Sequence, residues 1–324
     1  MKNKKLLTFC MTLLMLPLLL ASVTQAQTTE KPIIVCTTSA VGSVVEDFLG
    51  DTAEVLVLVQ PGLCPADFDL KPGYVDAVSK ATILFKQNIQ GEFWLDSLLE
   101  SSGNDDLTVV AIPGVYNTPE GAKNYIRGVG GNLSQILAIN LESETSEMIE
   151  EIDEVSNWIQ NQAENLEAPT VKVICMGWLK TFIESAGFNV VSTFNPPETL
   201  SAGDITALLE TAQTEGVALV VDNLQIDTEF GEQIANPTGA EHVVLTNFPG
   251  AIPGTETLAK MLRYNAEQLL AGTSMWHITS ALKTEKIDLG NQVTLFQITT
   301  VIAVVIAAVE AVMLYSRKKK RRKR

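Results

Sequence analysis

Residues 59–100 read VQPGLCPADFDLKPGYVDAVSKATILFKQNIQGEFWLDSLLE, and this stretch decides the fold. Pro61-Gly62 ends a strand, an acidic loop carries Asp67 and Asp69, and Pro72 starts a helix that leads into the apolar run at 82–85. Gly91-Glu92-Phe93-Trp94-Leu95 then opens an amphipathic helix. Strand, helix and strand joined by short loops form the repeating unit of a parallel sheet covered on both faces.

Working outward, the same alternation extends in both directions. Residues 32–37 (PIIVCT) suit a buried parallel strand, 43–49 have helical spacing, and 54–59 return to a β-branched run. A further strand is expected at 107–111. After Thr170 the pattern restarts, with strands at 171–175, 189–193, 218–221 and 242–245 and helices at 179–186, 202–215, 229–235 and 255–271. Between the two halves, residues 144–167 contain neither Gly nor Pro. Met148, Ile152, Val155 and Ile159 fall near one helical face, and acids fill the rest. The expected fold class is α/β: two (β/α) lobes with parallel sheets, joined by one long rigid helix. A coiled-coil use of that helix would need more sustained heptads.

The two ends suggest a location. Lys2, Lys4 and Lys5 precede an apolar run at 6–21, and Val23-Thr24-Gln25-Ala26 supplies small residues for cleavage, which reads as a secretory signal. Residues 293–315 hold one acid, Glu310, and no base. As a helix they would cover ~35 Å, enough for a hydrocarbon core of ~30 Å. The eight residues at 317–324 are all basic, which marks a cytoplasmic side. The expected division is a signal at 1–26, an N-terminal lobe at 27–143, the linking helix at 144–167 and a C-terminal lobe at 168–288. A transmembrane helix at 293–315 and a basic tail at 316–324 complete it. The lobes would lie outside the cell membrane, tethered by a single pass.

Setting aside the three leading lysines, the eight tail bases and Glu310 leaves 12 bases against 37 acids. Such an exported surface excludes nucleic acid as a partner; it solvates helix faces and attracts cations. Asn132-Leu133-Ser134 is a glycosylation sequon. Gly128, Gly130 and Gly131 do not form a phosphate loop, and with two histidines and no Gly-x-Ser-x-Gly elbow nothing points to catalysis.

The segment at 59–100 resembles the zinc- and manganese-binding receptors of ABC importers, whose first loop carries a Pro-His pair where this chain has Pro65-Ala66. Glu215-Gly216-Val217-Ala218-Leu219-Val220-Val221-Asp222-Asn223 is similar to that family's helix end and strand before an acidic loop. Ala235-Asn236-Pro237-Thr238-Gly239-Ala240 is similar to its helix end before the last strand. The resemblance covers roughly residues 33–271. It implies two (β/α) lobes on a linking helix, cargo held between them, an ABC permease subunit as partner, and no enzymatic activity.

The resemblance also implies four places facing the cleft, at 64–68, 128–132, 175–177 and 246–247. Histidine is expected at the first three and an acid near the last. This chain has Ala66, a Gly-Gly-Asn run, Met176, and Thr246 or Asn247 there. His242 and His277 match none of these positions, so a three-imidazole site is not available. Sulfur stands nearby instead, in Cys36, Cys64, Cys175 and Met176, a set that suits a soft metal such as copper(I), or zinc held by thiolates. A disulfide, or plain burial of the strand-end cysteines, are the competing readings. Asp67, Trp178, Asp222 and Asn247 complete the expected ligand-binding residues. Two functions follow: a tethered solute receptor with a degenerate zinc site, or a ligand-free surface interaction protein.

Overall fold

The computed structural model describes residues 31–87 and 89–321. The signal segment and the last three tail residues lie outside them. Two four-stranded parallel sheets are present. The first holds β1 (Ile33–Cys36), β2 (Glu54–Val57), β3 (Ile83–Lys86) and β4 (Thr108–Ala111) in the order β2-β1-β3-β4. The second holds β5 (Lys172–Met176), β6 (Asn189–Phe194), β7 (Leu219–Asn223) and β8 (Glu241–Leu245) in the order β6-β5-β7-β8. Each lobe thus reverses its strand order beside its own first strand. Such a switch point opens a crevice beyond the carboxyl ends of the strands.

Helices α1 (Ser39–Leu49), α2 (Pro72–Lys80), α3 (Leu95–Ser102) and α4 (Pro119–Leu137) serve the first lobe. The strut is α5 (Glu142–Asn165). Helices α6 (Lys180–Ser185), α7 (Ala202–Glu215), α8 (Phe230–Thr238) and the start of α9 (Leu258–Arg321) serve the second. Ile152, Ile159 and Ala163 are the buried stripe of α5, and Arg263 of α9 lies 3.4 Å over the Trp158 ring. One apolar cluster runs from Ile34 and Val44 in the first lobe to Met261 and Leu269 in the second. The lobes therefore share a core at their hinge side.

Two expectations require correction. Residues 128–132 are the interior of α4 and not a loop at the cleft. Thr118 accepts the Gly121 N–H and Pro119 takes the first helical position, so the helix starts well before the glycines. A Cβ on Gly130 would lie 2.7 Å from Phe48 Cζ, so this glycine is where α4 and α1 press together. At the other end, the chain does not break between the last lobe helix and the apolar run: α9 continues for 64 residues, ~96 Å. Nothing between 272 and 292 stops it, since Gly272 and Gly290 are tolerated inside helices and no proline intervenes. Thr279 of α9 donates to Glu241 at 3.0 Å, which holds the helix against β8. The helix is long and apolar enough to cross a membrane.

A hydrogen-bonded pair fixes the second lobe. Asp222 is wholly buried on β7, and its Oδ2 accepts the Gly231 N–H at 2.7 Å and lies 2.8 Å from His242 Nε2. Removing the imidazole takes a hydrogen-bond partner from a fully buried carboxyl. His242→Ala is expected to lower stability by about 1–3 kcal/mol, read as a fall in the urea midpoint of the full-length protein in detergent.

At the hinge, Asp47 of α1 is surface-exposed, yet neighbouring helices strip part of its solvent. That partial burial, with repulsion from Glu151 and Glu46 and opposed by Lys260, pushes its carboxyl up to about 6 from an ordinary 3.8. Between these two values the folded state binds more protons than the unfolded one, so this group's contribution falls as pH rises. Asp47→Asn is therefore expected to raise the thermal midpoint at pH 7 relative to the parent and to leave it unchanged near pH 3.5.

Candidate functional site at the seam between the lobes

The loops that leave the strand ends build the site. In the first lobe Thr37 and Thr38 follow β1 and are buried. The Thr37 hydroxyl donates to the Glu92 carboxylate and the Thr38 hydroxyl to Gln87 Oε1. Glu92 also accepts the N–H groups of Gln87 and Ile89, each at 3.2 Å. Its acid thus pins the loop after β3. Tyr116 is buried beside Tyr125, ring centroids 5.6 Å apart, and burial raises its hydroxyl above the ordinary tyrosine range against a hydrogen bond with Gln87.

In the second lobe Gln225 is the hub. Its Nε2 donates to Thr246 Oγ1 at 2.8 Å and to Pro61 O of the first lobe at 2.9 Å. Its Oε1 accepts from Asn223 Nδ2 and from the Asn247 N–H, both at 3.1 Å. Asn265 holds Thr246 from α9 through both backbone groups, accepting its N–H at 3.0 Å and donating to its carbonyl at 2.7 Å. Across the seam, Asn117 Nδ2 donates to Trp178 O at 3.2 Å and to Asn247 Oδ1 at 3.3 Å.

The structure brings Trp178 and Asn247 together at this seam, as partners of Asn117. Trp178 is partly exposed and contributes its carbonyl there. Asp67 is exposed in a one-turn helix beside Cys64, and Asp222 is committed to Gly231 and His242. The sulfur set is not gathered. Cys36, Cys175 and Met176 are fully buried in the core, whereas Cys64 is half-buried on the loop after β2. All three described cysteines are free thiols. Burial, with Glu46 adding, pushes the Cys36 thiol far up; burial with Glu184, against Lys180, pushes Cys175 up to about 12. Among the described residues no three or more His, Cys, Asp or Glu side chains cluster to hold a metal.

Ser39, Asn117 and Gln225 were not among the residues expected from sequence. A signal existed for each. Ser39 opens the helix after β1, Asn117 precedes the Thr118-Pro119 helix start, and Gln225 follows β7 at a switch point.

Residues 34–272 match the family described as zinc-uptake complex component A, periplasmic (ZnuA). The chain belongs to this family. It is 22% identical over 268 residues to the manganese-binding lipoprotein MntA of Halalkalibacterium halodurans, a match covering 74% of this chain and 88% of that one. A solved Mn-bound periplasmic metal-binding protein from Candidatus Liberibacter asiaticus shares the fold with a TM-score of 0.65 at 14% identity, over 75% of this chain and all of that one. A crystal structure of ZnuA gives 0.64 at 18% identity, with the same coverage. The family consists of extracytoplasmic solute receptors that work with the permease and ATPase of an ABC importer, and its members are not enzymes.

Thiol burial has a direct readout. In the folded full-length protein, iodoacetamide at pH 8 is expected to modify Cys64 first, with Cys36 and Cys175 reacting only after denaturation, as followed by peptide mass spectrometry.

Proposed function

We propose that this chain is a membrane-tethered receptor of a metal-type ABC importer in which the imidazole site is degenerate and carboxamides and hydroxyls stand in its place. One observation carries the reading. Loops beyond the carboxyl ends of β2 and β4 in the first lobe meet those beyond β5, β7 and β8 in the second, and what they present is Asn117, Gln225, Thr246 and Asn247. These amide and hydroxyl groups are already hydrogen-bonded to one another and to backbone, so a hard cation would have to displace those bonds, and oxygen donors without carboxylates or imidazoles would hold it weakly. The manganese in the name of the related lipoprotein is consistent with a hard divalent cargo.

The tether is supported by the apolar stretch of α9 followed by basic residues, which fits a single pass with the lobes outside. Confinement to the membrane would raise the receptor's concentration near its permease. The soft-metal set of Cys36, Cys64, Cys175 and Met176 has the lesser support, because three of its four sulfurs are buried in the core. A ligand-free interaction protein presenting its acidic surface is the second reading, favoured by a seam already closed by the protein's own groups.

The test is dialysis of full-length protein in detergent against Mn²⁺, Zn²⁺ or Cu⁺, with metal per chain counted by elemental analysis. Manganese and zinc are expected to bind with dissociation constants weaker than about 10 µM. One tightly held zinc at nanomolar concentration would refute the degenerate site. Copper(I) lost on Cys64→Ser would move the assignment to the sulfur set, and no metal at any concentration would favour the second reading.

A further inference from the structure

We propose that the lobes are latched shut by their own side chains, so that closure of the cleft does not require cargo. This deepens the receptor reading and rests on its placement of the cargo cleft at the seam. Three separate contacts cross between the lobes, and each joins loops at strand ends. Ser39 Oγ donates to Pro249 O at 2.7 Å and is buried. Gln225 Nε2 donates to Pro61 O at 2.9 Å. Asn117 Nδ2 donates to Trp178 O and Asn247 Oδ1.

The chemistry of these groups favours a latch over a vacant ligand set. Gln225 uses both amide protons and accepts twice at Oε1, so it has no donor or acceptor left to offer a ligand. Asn117 spans to the two second-lobe residues, Trp178 and Asn247, that a bridging ligand would touch. A two-lobed receptor closes because a ligand contacts both lobes and so interacts better with the closed state. Here protein groups make those contacts. They are neutral, so closure carries no charge that a cation must balance.

A consequence follows for any cargo. Entry requires the open state, and the apparent affinity is reduced by the fraction of molecules that are open. Each latch bond removed raises that fraction. Cutting two of them should open the seam on the order of tenfold or more often.

Hydrogen–deuterium exchange of the full-length protein in detergent, with and without Mn²⁺ or Zn²⁺, reads the latch directly. Without metal, peptides over 58–65, 112–118 and 246–252 are expected to be protected, and adding either metal should change their exchange less than about twofold. In the Asn117→Ala/Gln225→Ala double variant the same peptides of both lobes should exchange about tenfold faster, while β1 and β5 stay protected. Ser39→Ala cuts a different crossing bond and gives the same reading, in smaller measure, should the double variant lose protection in its strands. Seam peptides that exchange freely until metal is added would overturn the latch, as would variants indistinguishable from the parent. Both outcomes are read separately from the metal count, so a receptor that binds no metal can still show the latch, and one that binds metal can lack it.

Discussion

The packing of α5 between α4 and α9 is the constraint on which the rest depends. A helix of 24 residues, about 36 Å long, places its apolar stripe against the first lobe's last helix and the second lobe's final one. Trp158 under Arg263 fixes it to α9, and Lys123 of α4 reaches Asp153 at 2.8 Å. The apolar residues, not this half-exposed ion pair, supply most of the energy, since pairs near the surface contribute little. With the hinge side buried in one apolar cluster, relative movement of the lobes is confined to the strand-end side. That is where the cross-lobe hydrogen bonds lie.

Much of the fold was legible because parallel strands buried on both faces read as short continuous apolar runs. Ile33–Cys36 and Leu219–Asn223 are almost completely buried, and residues 32–37 and 218–221 had already marked them. Helix α4 was less legible. Three of its four glycines, at 128, 130 and 131, suggest a loop, but Gly130 is required by the close approach of Phe48 and the start lies upstream at Thr118-Pro119. Here tertiary packing overrides local propensity. The extent of α9 was hidden for the opposite reason: the polar stretch between the lobe and the apolar run resembles a linker by hydropathy, while no proline in it breaks the helix.

The site was legible by position more than by chemistry. Sequence pointed to the ends of β5 and β8, and Trp178 and Asn247 just beyond them share Asn117 as a hydrogen-bond partner. What composition could not reveal is which way a strand-end side chain turns. Cys175 and Met176 lie in the same strand as the seam loop, yet both are fully buried, because adjacent helices and strands cover both faces of β5. Asp222 likewise turns under α8 to meet His242. Carboxamides carry no distinctive spacing, so the strand-end positions of Asn117 and Gln225 could be read from sequence but not their contacts across the seam.

The same geometry links the seam to the long helix. Asn265, on the first turns of α9, grips Thr246, and Thr246 accepts from Gln225, which reaches Pro61 in the other lobe. The helix that would enter the membrane therefore begins beneath the residues that close the cleft. Glu241 and Thr279 dock it again further along, at the start of β8. Between Thr279 and the apolar run at 293 lie 13 residues of exposed helix, about 20 Å at 1.5 Å each. A continuous helix transmits orientation as well as distance, which a flexible linker does not. On the proposed topology the second lobe would stand at one height and one rotation over the bilayer, so any opening of the seam would be a movement of the first lobe alone.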